Sequence, residues 1–156
     1  MQKSILKNYK PFKVLLTLIA YIYQFIIYIR NKLFDINLFK IRSLSKPVIS
    51  IGNLTVGGTA KTPFTIFISK HLKNKGIKVG ILSRGYGRKS TGTVVVSDGK
   101  KILNSLRNSG DEPTLIAKKL DDIPIVVDNN RYRGGRYLIT KYNPDIIILD
   151  DGFQHR

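Results

Sequence analysis

Hydrophobic and polar positions along the 156-residue chain fall into two regimes. Residues 14–29, VLLTLIAYIYQFIIYI, are apolar except for Thr17 and Gln24, and Lys10, Lys13, Arg30 and Lys32 flank them. At ~1.5 Å per residue the run makes a helix of roughly 24 Å, short of the ~30 Å of bilayer hydrocarbon, so spanning is marginal. Lys10, Lys13, Thr17, Tyr21, Gln24, Tyr28 and Lys32 recur at steps of three and four and share one stripe. This predicts a helix in the membrane interface with its tyrosines at headgroup depth. A deeper helix whose stripe faces protein, a buried soluble helix and a cleaved signal sequence are the alternatives. No small-residue cleavage site follows Ile29, which disfavours the last.

After Pro47 short β-rich runs alternate with helical ones. Residues 48–51 read as a strand. Residues 62–75 read as a helix burying Phe64, Phe67, Ile68 and Leu72 and stopped by Gly76, and 77–82 as a second strand. Residues 93–97 and 100–103 flank Asp98-Gly99, a dipeptide suited to a tight turn, and read as an inserted hairpin. A helix starts at 111, a strand covers 125–127, a helix 131–142, and an unbroken apolar strand 146–149. The alternation predicts an α/β fold with a parallel sheet flanked by helices. The expected division is 1–46 for the membrane-associated helix and basic linker and 47–156 for the catalytic domain.

The first strand, the turn after it and the next helix carry the chemistry. In 55–62 the order is Thr55, Val56, Gly57, Gly58, Thr59, Ala60, Lys61, Thr62. Gly57 and Gly58 let backbone amides point inward at phosphate oxygens, the helix start adds its positive dipole end, and Lys61 supplies a cation for ATP phosphates. The Thr62 hydroxyl suits Mg²⁺. The match to a Walker loop is incomplete, since Thr55 replaces the first glycine and Ala60 precedes Lys61. Ala60 fits only with a negative φ or one at the left-handed edge. Asp150 and Asp151 follow the last strand, where a carboxylate would hold Mg²⁺ and its neighbour orient it or assist proton transfer. Asp111 reads, from the residues alone, as a helix N-cap. His71 reads as solvated, and His155 lies close enough to the acid pair to matter.

Composition narrows the classes. Without cysteine, disulfides, thiolate metal sites and cysteine nucleophiles are excluded. The formal charge of +17 has two sources: residues 1–46 hold 9 Lys/Arg against 1 acid, and 47–156 hold 18 against 9. Such a surface attracts phosphates of any origin. No zinc, helix-turn-helix or aromatic-and-basic pattern accompanies it, so nucleic acid is not expected as a partner.

Four strings in order, GNLTVGGTAKTP at 52–63, SRGYGR at 83–88, GDEP at 110–113 and DDGFQH at 150–155, resemble the tetraacyldisaccharide 4'-kinase family of lipid A synthesis. The resemblance implies a P-loop kinase that uses Mg-ATP to phosphorylate the 4'-hydroxyl of a tetraacylated glucosamine disaccharide 1-phosphate, giving lipid IVA at the cytoplasmic face of the inner membrane. It implies that 55–62 bind ATP, that Lys61, Asp150 and Asp151 serve catalysis and magnesium, and that Asp111 is the general base, against its reading as a cap. Arg84, Tyr86 and Arg88 become candidate contacts to the acceptor. Family members continue well past the position matching Arg156, so a truncated, inactive fragment is one expectation. A membrane-associated P-loop ATPase acting as a positioning switch is the other alternative.

Overall fold

The computed structural model describes residues 10–36, 38, 42–52 and 60–152. It contains two compact units, 1–42 and 43–156. In the first, α1 (Lys10–Asp35) extends well beyond the apolar run, with Thr17 Oγ1 donating back to the Lys13 carbonyl at 2.8 Å. Residues Phe12–Asp35, of mean hydropathy 1.9 in their most apolar window, are long and apolar enough to cross a bilayer, and no residue of that window is buried.

The second unit is built on β1 (Val48–Ile51), β2 (Val79–Ser83), β3 (Val94–Asp98), β4 (Pro124–Val127) and β5 (Ile146–Asp150), in the order β1-β5-β2-β4-β3. β1, β5, β2 and β4 are parallel, as the alternation predicts. β3 departs from it, running antiparallel to β4 as the far edge of the same sheet. The first arm of the expected inserted hairpin is thus a strand of the main sheet, and its second arm folds back on it through the Ser97–Ile102 bridge and the bond from Leu103 N to the Val96 carbonyl. The connection from β2 to β3 contains no helix, so no crossover restores strand direction.

Helices cover both faces. α2 (Lys61–Asn74), α3 (Leu106–Ser109) and α4 (Asp111–Ala117) serve the face whose core includes Ile81, Ile116, Ile125 and Ile148, while α5 (Arg131–Tyr142) packs Leu138 against Leu82, Val126 and Ile147. α2 buries a different stripe from the one its apolar residues suggest. Phe64 and Phe67 are 53% and 63% exposed, whereas Thr65 and Ser69 are buried, with Ile68 and Leu72 half-buried against the core. At ~100° per residue, Thr65, Ser69 and Leu72 share one side and Phe64, Phe67 and His71 the other. Polar Thr65 goes inward because a buried carboxylate there needs a donor.

Candidate active site

Parallel pairing of β1 with β5 sets Ile51 beside Asp150, so the chain entering the glycine turn leaves the sheet next to the acid pair. Gly152 N donates to the Ile51 carbonyl at 3.0 Å and closes that corner. The site thus gathers at the carboxyl edge of the sheet, where α/β folds bind ligands. Thr55, Val56, Gly57, Gly58 and Thr59 lie outside the described residues, as does His155.

Ala60, Lys61 and Thr62 open α2. Ala60 occupies the N-cap position with φ 49° and ψ 24°, left-handed, and its carbonyl accepts from Phe64 N at 3.0 Å. Lys61 Nζ lies 2.6 Å from Asp151 Oδ1, a partly exposed ion pair. The hydrogen bond that Lys61 donates to Asp151 raises the Lys61 pKa above its ordinary value, with burial opposing and the charges of Asp151, Glu112 and Asp150 assisting. Lys61 is therefore a cation throughout the neutral range.

Asp150 is 1% exposed. It accepts from Thr65 Oγ1 at 3.0 Å and from Ser83 Oγ at 3.3 Å. Burial pushes its carboxyl up; the two hydroxyl bonds offset this only in part, and the Asp151 charge pushes the same way as burial. Glu112, exposed on the surface of α4, is nevertheless raised, first by desolvation from surrounding protein and then by Asp150.

Asp111 is the first residue of α4 and not its cap. Gly110 takes that position at φ 91°, and a Cβ there would lie 2.9 Å from the Tyr86 carbonyl oxygen and 3.2 Å from Gly85. A Cβ on Gly85, at φ 68°, would in turn lie 2.8 Å from the Ser109 carbonyl oxygen. Backbone against backbone, the SRGYGR and GDEP motifs form one surface, and the cap position must be glycine. Asp111 is consequently left exposed in the first helical turn.

Within SRGYGR, Tyr86 is 85% exposed and Arg84 is exposed. Arg88 is turned into its own loop: Nη2 donates to the Gly92 carbonyl at 2.8 Å and Nη1 to Ser90 Oγ at 3.2 Å. Arg131, which sequence reasoning passed over as an ordinary helix start, reaches the same edge. Nη1 donates to the Asp128 carbonyl at 2.9 Å, while Nε and Nη2 are buried with no hydrogen-bond partner among the described residues. Burial lowers its pKa, Arg84 lowers it further, and Asp151 and Asp150 pull it back, which sets Arg131 among these groups. Its signal was positional: the first residue of a helix directly after a parallel strand's carboxyl end.

Comparison with known proteins follows the same lines. The family model for tetraacyldisaccharide-1-P 4'-kinase matches residues 12–156. The chain belongs to that family. A tetraacyldisaccharide 4'-kinase of Aquifex aeolicus is 48% identical over 137 residues, 88% of this chain and 43% of the relative. One from Syntrophus aciditrophicus is 44% identical over 151 residues, 96% of this chain and 40% of the relative. This family member therefore spans about two-fifths of the length of the curated relatives it matches. The crystal structure of the "apo" form of LpxK from Aquifex aeolicus in complex with ATP superposes with a TM-score of 0.81 at 46% identity, covering 93% of this chain and 45% of that one.

Proposed function

We propose that this chain carries the nucleotide-binding and phosphoryl-transfer centre of an ATP-dependent lipid-sugar kinase, which moves the γ-phosphate of ATP to the 4'-hydroxyl of a tetraacylated glucosamine disaccharide 1-phosphate. The observation that carries the reading is the Lys61–Asp151 pair beside buried Asp150, at the point where β1 enters the glycine turn. Residues 55–62 bind the phosphates. Lys61, held by Asp151 before nucleotide arrives, exchanges that carboxylate for β and γ oxygens, and Arg131 offers the same charge Nε and Nη2, which have no partner among the described residues.

The residues present fit magnesium. Its preferred donors are hard oxygens, one or two carboxylates supplemented by phosphate and water, and Asp150 with the Thr62 hydroxyl supplies that set. Asp150 is buried, and among the described residues its hydrogen-bond partners are two hydroxyls and no cation, so its carboxylate has room for positive charge. Bound there, the ion supplies charge neutralisation at the transferred phosphoryl group.

Asp111, exposed at the joint of the two motif loops, removes the proton of the attacking hydroxyl late in the transfer, when little more than positioning is required. Arg84 and Tyr86 meet the acceptor. Arg88 acts one step back, bracing the loop that presents them. α1 attaches the chain to the cytoplasmic face of the inner membrane, where an acylated acceptor resides; residues 1–46 form that module and 47–156 the catalytic one.

A kinase assay with labelled ATP and the disaccharide acceptor in detergent tests this. It compares the chain, its Lys61→Ala variant, and a fusion to the remaining part of the Aquifex aeolicus relative. Transfer by the fusion, lost by a factor of roughly 10²–10³ in its Lys61→Ala form, is expected. No transfer from any of them ends the reading.

A further inference from the structure

The rim of the sheet opposite β1 carries a surface that phosphoryl transfer leaves unused. β3 is the edge there, and the chain returning from it crosses the open side. Leu103 N donates to the Val96 carbonyl at 2.8 Å and Asn104 Nδ2 to the Val95 carbonyl at 2.9 Å, so this segment is fixed against the sheet before it enters α3. Three of its large aliphatic side chains nevertheless face solvent: Ile102 is 41% exposed, Leu103 42% and Leu106 52%. Lys100, Lys101 and Arg107 bracket them, all exposed. No acid and no aromatic residue occurs anywhere in 99–110. The nearest carboxylate before them, Asp98, is occupied by its own turn, with Oδ1 accepting from Lys100 N and Lys101 N at 2.9 Å each.

A single exposed leucine is ordinary, but three aliphatic side chains within five residues and a fringe of one charge sign are not. The chemistry of that pairing selects its partner. Aliphatic groups gain by entering the acyl boundary while lysines and arginines meet lipid phosphates, whereas single-stranded nucleic acid rewards aromatic stacking that this segment cannot offer. We propose that residues 100–107 are a second membrane contact, by which the catalytic unit itself rests on an anionic bilayer surface separately from α1. The proposal rests on the reading that the chain works at a membrane, and it adds a contact that holds the sheet's β3 rim at the lipid.

The absence of cysteine makes the test direct. In the full chain, an environment-sensitive fluorophore is placed on Leu106→Cys, on Tyr23→Cys in α1, or on exposed Lys70→Cys in α2, and vesicles rich in phosphatidylglycerol are added. The labels at 106 and 23 are expected to shift to the blue and the label at 70 to stay unmoved. The shift at 106 is expected to vanish on pure phosphatidylcholine while that at 23 persists. Changing Lys100 and Lys101 to Gln should weaken it by roughly fivefold per charge removed. A shift at 23 with 106 unmoved overturns the second contact and leaves the anchoring helix intact; no shift at either position removes both. A shift at 106 that is equal on neutral vesicles, or that appears only with duplex DNA, also overturns the proposal. None of these outcomes bears on phosphoryl transfer, which the detergent assay reads separately.

Discussion

Asp128 and Asp150 stand at the carboxyl ends of β4 and β5, 0% and 1% exposed, and the sheet treats them in opposite ways. Asp128 is saturated. Arg133 donates to it twice, Nε to Oδ2 and Nη2 to Oδ1, each at 2.8 Å; the Asn130 amide adds a bond at 2.8 Å and Thr93 Oγ1 another. Burial pushes its carboxyl up, yet these donors outweigh burial and hold it below its ordinary value. Asp150 receives two neutral hydroxyls, and its carboxyl stays above the ordinary range because burial wins. A buried carboxylate with its own arginine is a structural knot, while one that meets only hydroxyls among the described residues is suited to receive positive charge.

If that contrast is right, removing the charge at the two positions has different consequences. Asp150→Asn keeps the size and most of the hydrogen bonding of the side chain and deletes what a cation and the phosphates need. Transfer by the fused kinase is expected to fall by roughly 10³-fold, with the fold intact by circular dichroism. Near-normal transfer would break the comparison at its functional end.

Asp128→Ala should act on stability. It strands the Thr93 hydroxyl, the Asn130 amide and the inner face of Arg133 together, and a loss of about 2–3 kcal/mol is expected in urea unfolding. Bound ATP analogue should still protect whatever fraction folds.

The two aspartates should also differ in sign with pH. Asp150 has a folded pKa above its unfolded one, so the native state holds that proton more tightly. Its ionisation costs nothing below an unfolded value of about 3.9, and the penalty grows as pH rises through the folded value. Asp150→Asn should therefore melt higher than the parent at pH 7 in the absence of nucleotide, with the gap closing toward pH 4. Asp128, held below its unfolded value, contributes stability above about pH 3.9 that is lost as pH falls through its folded pKa. A parent more stable than Asp150→Asn at pH 7 would contradict the assignment of Asp150 as underpaired.

Which of these features the amino-acid order reveals depends on whether they are local. β1 and α5 end where the residue pattern puts them, because an apolar run after Pro47 and an Asn-capped, Asn-terminated helix are set by neighbours in sequence. The buried side of α2 is not local. Counting apolar residues selects Phe64 and Phe67, but Thr65 turns inward to meet Asp150, 85 residues away. Asp111 fails as a cap for a similar reason: the contact that demands Gly110 at the capping position comes from Gly85 and Tyr86. The direction of β3 depends on a missing helix, and the role of Arg131 on burial that only the packed sheet edge creates. Motif strings located the acid pair and the lysine. They did not distinguish Asp128, which lies in no motif and is as buried as Asp150.

The smallest effect concerns the joint between β1 and α2, where a backbone conformation and a side chain disagree. Ala60 holds φ 49°, a region in which a Cβ costs about 1–2 kcal/mol, and its methyl makes no capping bond. Glycine would remove that cost but enlarge the freedom of the unfolded chain by about 0.5–1 kcal/mol. Strain exceeds entropy by a narrow margin, and glycine is also the better residue at an N-cap. Ala60→Gly is therefore expected to stabilise the chain by about 0.5 kcal/mol and to tighten binding of an ATP analogue slightly, read by thermal melting with and without nucleotide. Ala60→Val, whose branched Cβ tolerates positive φ least, should lose more than the glycine gains. If the valine variant melts with the parent, the left-handed turn ahead of Lys61 is not under strain, and the departure of this loop from a glycine at 60 carries no cost in stability.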